Sequence, residues 1–286
     1  MGVGGDCFPS ESECLGSLHF DQPYGASPSE ALDLYLPRAE DGEVPLVVFL
    51  HGGGFVGGDK SRLWPKLTEL LLSEGVAVAS VNYRLAPGVR YPQPMLDGVR
   101  AIRFLRERSS SFRLDADRFV LSGIATGGAI ALWIALRDDR PAGSIAGVIA
   151  INAQTTYDPE DIWTLFRTKR LPGFLPQLFG VTAGDLSRDD PMLRQLVREA
   201  SPATHLGAGD PPVVLLYTRS DRLPPVNAAP FSYLHHARFG EFLEHKAEAL
   251  GADVRLRPRV GAQPGSEPFN RTFVQELGRI LAPDRR

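Results

Sequence analysis

The sequence predicts an α/β fold in which helices flank a mostly parallel sheet. Short apolar runs bounded by Gly, Pro or Asp alternate along the chain with longer segments of helical periodicity. Such apolar runs are typical of strands that are buried on both faces, as strands of a parallel sheet are. A strand–helix–strand order requires right-handed crossover connections. We therefore expect one α/β domain over residues 1–286.

Eight strands are predicted, and the first two form an antiparallel hairpin at the edge of the sheet. In chain order they cover residues 17–20, 32–36, 46–50, 76–83, 119–122, 147–152, 213–217 and 253–259. Five helices are predicted, over residues 63–73, 95–108, 127–137, 239–250 and 269–281. The second helix has the clearest pattern, because apolar residues recur on one face at Met95, Val99, Ile102 and Leu105.

Residues 154–206 interrupt this alternation. The stretch contains Trp163, Phe166, Phe174 and Phe179 among Pro and Gly residues. Because open α/β sheets bind ligands beyond the carboxyl ends of their strands, we interpret it as a cap inserted over that edge. We expect its aromatic side chains to line an acyl or aryl pocket. The alternative is a peripheral helical excursion with no role in a site.

Composition argues against several function classes. The formal charge is −3 and the isoelectric point is about 6.1, so no electrostatic feature favours nucleic acid or an anionic membrane as a partner. The longest apolar run in a helical context, residues 129–136, is far shorter than the roughly 20 residues that span a bilayer. No signal peptide is visible at the N-terminus. We expect a soluble protein, either cytoplasmic or exported after removal of a signal.

The sequence also predicts no metal and no cofactor. No cluster of His, Cys or Asp has the spacing of metal ligands, and the glycine runs lack the Lys-Ser/Thr ending of a phosphate-binding loop. Cys7 and Cys14 are the two cysteines. We expect free thiols, and a Cys7–Cys14 disulfide is the alternative for an exported protein.

Two glycine-rich motifs follow buried strands. HGGG, residues 51–54, comes directly after the strand 46–50, and consecutive glycines let the backbone turn tightly and direct N–H groups into a cleft. GIATG, residues 123–127, stands between a strand and a helix, where a strained strand-to-helix turn is expected. Between them, NYRLAP at 82–87 ends one strand and YPQPMLD at 91–97 opens the next helix.

These motifs resemble those of the α/β-hydrolase superfamily, in its hormone-sensitive-lipase-like and feruloyl-esterase-like carboxylesterase branch. The likeness runs from about Leu32 to the C-terminus and weakens after Asn152. It implies an eight-stranded, mostly parallel sheet and a serine-hydrolase site for carboxylic esters. It also implies that backbone N–H groups of Gly53, Gly54 and Thr126 form an oxyanion hole.

The elbow motif departs from the family at its central residue, which is Ala125 where the family has serine. A methyl group cannot attack a carbonyl, so no acyl-enzyme can form at this position. The hydroxyl of Thr126 is one residue away from the apex, which argues against it as the nucleophile. Either a serine was replaced deliberately, or it was lost naturally and left a noncatalytic binding protein.

The acid matches the family, and the base does not. Asp221 lies in a loop after the strand 213–217, where the family's acid orients the catalytic histidine. The family's histidine follows the last strand, but residues 260–269 contain none. His235 and His236 follow Asp221 through a long Pro-rich loop, so one of them is a candidate for a relocated base, with His236 preferred. The alternative is a histidine pair with no catalytic part.

Three hypotheses for function follow. The retained HGGG loop, elbow glycines and Asp221 favour a carboxylic-ester hydrolase that is inactive because its attack position is Ala125. The second is a noncatalytic protein that binds a small molecule in the same pocket, and the third is a lyase or cyclase. In each case the expected partner is a small molecule, an ester or a related ligand.

Overall fold

The computed structural model describes residues 6–9, 14–38, 42–139, 143–188, 190–218, 222–257 and 261–282. Its strands form one sheet in the order β1-β2-β3-β5-β4-β6-β7-β8-β9. They are β1 Asp6–Pro9, β2 Cys14–Pro23, β3 Ala31–Pro37, β4 Val44–Leu50, β5 Ala77–Val81, β6 Leu114–Ile124, β7 Gly147–Ile151, β8 Val213–Leu216 and β9 Val254–Arg257. Strands β1 to β3 and β5 pair antiparallel, and all pairs from β5 through β4 to β9 are parallel.

Helices cover both faces of this sheet. They are α1 Pro65–Ser73, α2 Gln93–Glu107, α3 Ser109–Phe112, α4 Thr126–Leu136, α5 Pro159–Phe166, α6 Leu175–Phe179, α7 Pro191–Ala200, α8 Arg238–Leu250 and α9 Glu267–Leu281. One apolar core contains buried residues of α2, α4 and α8, and a second contains those of α1 and α9. The predicted mostly parallel sheet with flanking helices is confirmed. Its eight predicted strands correspond to β2 to β9, and the short β1 adds a ninth.

The register of the parallel strands brings their carboxyl ends to one edge of the sheet. Leu50 at the end of β4 pairs with Gly123 of β6, Ile124 of β6 pairs with Ile151 of β7, and Ile151 pairs with Leu216 of β8. The residues that follow these strand ends are therefore neighbours in space, although Leu50 and Leu216 are 166 positions apart in the sequence. This edge is where a doubly wound sheet carries its ligand site.

The segment between β7 and β8 contains α5, α6 and α7, in the stretch interpreted as a cap. It contacts the loops at the same edge of the sheet. Leu178 O accepts a hydrogen bond from Tyr91 N–H at 2.9 Å, and Arg167 O accepts one from Asn227 N–H at 3.0 Å. A Cβ on Gly54 would lie 3.0 Å from the ring of Phe174, so the segment touches the HGGG loop directly.

The cysteine expectation needs correction. Cys14 is disulfide-bonded in the structure, so the expectation of free thiols was wrong. The antiparallel pairing of β1, which contains Cys7, with β2, which contains Cys14, brings residues 7 and 14 into neighbouring strands. That proximity depends on strand pairing, which the spacing of two cysteines does not specify.

In the described part of the chain, no helix is both long enough and apolar enough to cross a bilayer.

Asp97 of α2 holds the segment after β5 in place. Its side chain is fully buried and accepts hydrogen bonds from Arg84 Nε and Nη2, each at 2.9 Å, and from Gln93 Nε2 at 2.9 Å. Arg100 also pairs with Asp97 and, at 2.6 Å, with Glu30. Burial raises the pKa of Asp97, but the bonds from Arg84 outweigh it and hold this pKa below its ordinary value.

We expect Asp97→Asn to lower the free energy of unfolding by about 2 kcal/mol or more at pH 7, because Arg84 and Arg100 lose their shared carboxylate. A carboxyl with a lowered folded-state pKa stabilises the fold above its ordinary value of 3.8 and loses that contribution as pH falls through the lowered value. Urea titrations should therefore give unfolding free energies that converge for the two proteins below that pH. Asp138→Asn, which changes an exposed carboxyl, is the control; equal effects of both variants at pH 7 would contradict the prediction.

Candidate active site

A one-residue turn connects β6 to α4. Ala125 is the residue between them, with φ 52° and ψ −119°. Positive φ is costly for a residue with a Cβ, so the surrounding contacts must hold it. Ala125 N–H donates to Ile151 O at 2.8 Å, and Ala125 O accepts from Ala129 N–H at 3.0 Å. The turn is the strained strand-to-helix elbow that the sequence predicts.

The glycines on either side of Ala125 are required by close backbone contacts. A Cβ on Gly127 would lie 2.1 Å from Leu50 O and 2.4 Å from His51 O. A Cβ on Gly123 would lie 2.5 Å from the carbonyl carbon of Gly127. Real Cβ atoms do not approach backbone this closely. The elbow therefore packs backbone against backbone on the carboxyl end of β4.

Ala125 lines a cavity of about 450 Å³, which we call the elbow cavity. Its wall comes from the carboxyl ends of four neighbouring strands and from three more distant segments of the chain. The lining residues are Phe49, His51, Gly52, Gly53, Arg62, Trp64, Ile124, Ala125, Asn152, Thr218, His235, Gln263 and Pro264. Ala125 and the start of the HGGG loop thus line the same cavity.

The backbone N–H groups of the three expected oxyanion donors differ in their hydrogen bonding. Gly53 lines the cavity with φ 137°, and no described acceptor takes its N–H. Thr126 is the first residue of α4, so its N–H has no acceptor within the helix. Gly54 N–H, in contrast, donates to Thr126 Oγ1 at 3.1 Å. The N–H of Gly54 is therefore engaged within the site in this structure.

His51 and Tyr83 stabilise the HGGG loop. The two rings stack with centroids 4.3 Å apart, and Tyr83 Oη donates to His51 O at 2.8 Å. His51 Nδ1 lies 2.9 Å from Gly52 O, and since a carbonyl only accepts, Nδ1 carries the hydrogen. Burial lowers the pKa of His51, so its imidazole is neutral at physiological pH. His51 therefore shapes the loop.

The two candidate bases occupy different environments. His235 lines the elbow cavity and is half-buried. His236 is buried under the ring of Phe166, with centroids 5.6 Å apart, and its Nδ1 accepts from Arg238 N–H at 3.1 Å. Of the two, only His235 lines the cavity that Ala125 also lines, although the sequence favoured His236.

The predicted acid, Asp221, lies outside the described residues. The strand end that leads to it does belong to the cavity wall. Asn152 Oδ1 accepts from Thr218 N–H at 2.9 Å, and Asn152 Nδ2 donates to Thr218 Oγ1 at 3.0 Å. These two bonds fix the end of β8 to the end of β7. Thr218, three positions before Asp221 in the sequence, therefore lies at the wall of the elbow cavity.

Gln263 lines the cavity in the stretch where the family's histidine is absent. Its carbonyl accepts from Ser266 N–H at 3.0 Å and from Ser266 Oγ at 2.6 Å, which closes a tight turn. A Cβ on Gly265 would lie 2.7 Å from the ring of Trp64, so this turn packs against the aromatic wall. An amide side chain therefore occupies the rim that the resemblance would give to an imidazole.

The aromatic wall of the cavity does not come from the cap. Phe49 and Trp64 form it, with ring centroids 5.4 Å apart in an edge-to-face arrangement. The cap's Trp163 lines a separate cavity, and its Phe166 is buried in the core. The expectation for the cap aromatics was therefore wrong for the elbow cavity, because these rings pack elsewhere. Phe166 packs against Tyr233 and Phe239, and Phe179 packs against Tyr91.

Sequence reasoning did not single out Arg62, Trp64, Asn152 or Thr218. Asn152 and Thr218 follow buried strands, so their position at strand ends is a signal that was available. Arg62 and Trp64 stand in a connecting segment without a local motif, and only the tertiary structure brings them to the elbow. Among the described residues, no group of three or more His, Cys, Asp or Glu could hold a metal ion.

Comparison with known proteins identifies a family. The family model described as BD-FAE matches residues 32–233, which is more than half of the chain. Versiconal hemiacetal acetate esterase from Dothistroma septosporum is 34% identical over 133 residues, which are 43% of this chain and 39% of that protein. Esterase LipC from Mycobacterium tuberculosis is 27% identical over 217 residues, 72% of this chain and 52% of that protein. The chain thus spans from about two-fifths to half of the length of these relatives.

Solved structures are similar in fold. A truncated form of a carbohydrate esterase from gut microbiota has a TM-score of 0.75 and 16% identity, covering 95% of this chain and 98% of that one. A bacterial heroin esterase has a TM-score of 0.66 and 21% identity, covering 93% and 83%. At these identities the likeness concerns the fold alone.

We expect Gly127→Ala to lower the free energy of unfolding by about 3 kcal/mol or more, because the added methyl group would meet Leu50 O and His51 O. Gly278→Ala is the matched control. Nothing lies within 4 Å of a Cβ at this position in α9, so we expect it to raise stability by about 1 kcal/mol through helix propensity. Chemical denaturation of the two variants measures the difference. A mild loss at Gly127 would contradict the close backbone contact.

Proposed function

Because the chain belongs to the BD-FAE family of carboxylesterase-type α/β-hydrolases, we propose that its elbow cavity binds small carboxylic esters in the geometry of a serine hydrolase. The attack position is Ala125, so the chain binds the ester but does not form an acyl-enzyme. The observation that carries the proposal is the elbow itself. Ala125 is held at positive φ, between two glycines that tolerate no Cβ, and beside the Gly53 backbone in one cavity.

The other residues have defined roles in this proposal. With a serine at position 125, its Oγ would attack the ester carbonyl carbon while His235 takes the hydroxyl proton. The carbonyl oxygen would become an oxyanion that accepts hydrogen bonds from the N–H groups of Gly53 and Thr126. His235 would then return the proton to the leaving alcohol oxygen as the tetrahedral intermediate collapses. Asp221 would orient the imidazole and stabilise its charged form.

A noncatalytic receptor is the second candidate. It is favoured by Gln263, which lines the cavity where the family has histidine, so that two triad positions differ from the family's pattern. Both candidates use the same cavity and the same kind of small ligand. They differ in whether His235 and Asp221 can serve a restored nucleophile, which a single substitution tests.

We expect Ala125→Ser to hydrolyse p-nitrophenyl acetate at least about 1,000-fold faster than the parent chain, because the cavity then contains a nucleophile and a base. His235→Asn and Asp221→Asn, each added to the serine variant, should each remove most of that gain. His245→Asn changes an exposed histidine of α8 and should leave the gain intact. Release of p-nitrophenolate is the measurement.

The outcomes separate the two candidates. A serine variant that remains inactive on esters of several acyl lengths, while still folded by circular dichroism, would favour the receptor. If the serine variant keeps its activity after His235→Asn, His235 is not the catalytic base. The proposal that the cavity hydrolyses esters would still stand.

A separate prediction concerns the Thr126 hydroxyl. Thr126→Ala removes the acceptor of Gly54 N–H, so we expect this amide to become a third oxyanion donor. In the serine background, kcat should rise by up to about tenfold with little change in KM, because the added donor acts mainly in the transition state. Thr126→Ser retains the hydroxyl and should match the serine variant alone. A fall in kcat on Thr126→Ala would mean that the Gly54–Thr126 bond positions the loop.

A further inference from the structure

The elbow cavity has a cationic lining. Among its described lining residues there is no Asp or Glu, and Arg62 is the one side chain with a permanent charge. The remaining polar side chains include the imidazole of His235 and the amides of Asn152 and Gln263, which can donate hydrogen bonds. In the proposed function the carboxylate of Asp221 is engaged by His235. The lining is therefore matched to a negatively charged group on the ligand.

The backbone at Arg62 is held firmly. It ends a 3₁₀ turn over Lys60–Arg62, which Asp59 caps by accepting from Ser61 N–H at 2.9 Å. Lys60 N–H donates to Asn82 Oδ1 at 2.6 Å, and Lys60 Nζ pairs with Asp33 at 2.7 Å. These bonds fix the position from which the Arg62 side chain reaches the cavity.

The side chain of Arg62 is exposed, and its guanidinium lacks a partner among the described residues. In the part of the chain that the structure describes, it makes no ion pair and no hydrogen bond, although Arg84 and Arg100 each have carboxylate partners. Its charge also reaches His51, whose pKa is lowered mainly by burial; Arg62 adds to that lowering, and the nearby carboxylate of Asp59 opposes it. A planar guanidinium is suited to bidentate binding of a carboxylate.

An apolar wall adjoins this charge. Trp64 contacts Phe49 at 5.4 Å and Phe269 at 5.8 Å between ring centroids, both edge to face. These contacts, with the packing of Gly265 against its ring, leave Trp64 little freedom to move. A rigid aromatic surface beside an arginine suits a ligand with an apolar stem and an anionic end.

We propose, building on the proposed function, that the ester bound in the elbow cavity carries a carboxylate and that Arg62 is the residue that selects it. The substrate class is the half-ester of a dicarboxylic acid, with its carboxylate on the Arg62 guanidinium and its apolar part along Trp64. Neutral esters of the same length fit the cavity but leave Arg62 unpaired.

Calorimetric titration of the parent chain tests this directly, because Ala125 prevents turnover during the measurement. Monobenzyl succinate and its neutral counterpart benzyl methyl succinate differ by one methyl ester. We expect the charged ligand to bind at least about tenfold more tightly at low salt. Arg62→Gln should remove that preference without weakening the neutral ligand, and Arg62→Lys should retain part of it. Lys66→Gln removes the same charge four residues away, outside the cavity lining, and should change nothing.

Equal affinity for the two ligands, a preference that survives Arg62→Gln, or no binding of either ligand would overturn the inference. Its failure is distinguishable from that of the proposed function. If Ala125→Ser hydrolyses p-nitrophenyl acetate but the parent chain has no carboxylate preference, the esterase proposal stands and the role of Arg62 falls. If the preference depends on Arg62 while the serine variant is inactive, the role of Arg62 stands and the esterase proposal falls.

Discussion

The contact between the elbow backbone and the carboxyl end of β4 is the constraint on which the site depends. Gly127 approaches Leu50 O so closely that even a methyl group is excluded, and this approach sets where α4 begins. With both flanking glycines packed in this way, Ala125 is left at positive φ as the apex of the turn. The backbone strain is confined to this turn. The parallel pairing of β4 with β6 and of β6 with β7 holds the turn in its strained conformation.

The hydrogen bonds around the apex decide what the cavity can offer a ligand. Tyr83 and His51 support the glycine loop, and the Thr126 hydroxyl engages the amide of Gly54. Among the described residues no acceptor takes the N–H of Gly53, and the N–H of Thr126 has no acceptor within α4. In the proposed function these two amides stabilise the oxyanion, and Ala125 leaves the position between them without a reactive oxygen.

Distant segments determine the chemistry of the rest of the cavity. The turn that contains Arg62 is fixed by Asp33 and Asn82, and the turn that contains Gln263 rests on Trp64. His235 arrives through the loop after β8, where its neighbour His236 turns into the core. A charge, an aromatic wall and an imidazole from separate parts of the chain therefore line the same cavity as Ala125.

The sequence by itself determined the strand and helix order, the glycine loop, the elbow and the absence of a serine at position 125. These features depend on periodicity and on residue types within a few positions of each other, so local pattern is sufficient. The choice between His235 and His236, the engagement of Gly54 by Thr126, the aromatic wall and the bonded state of Cys14 were decided only by the tertiary structure. Each depends on which atoms come into contact when helices, strands and loops pack together. A shift of one residue in a loop, or one hydroxyl within hydrogen-bond distance, is enough to change these contacts.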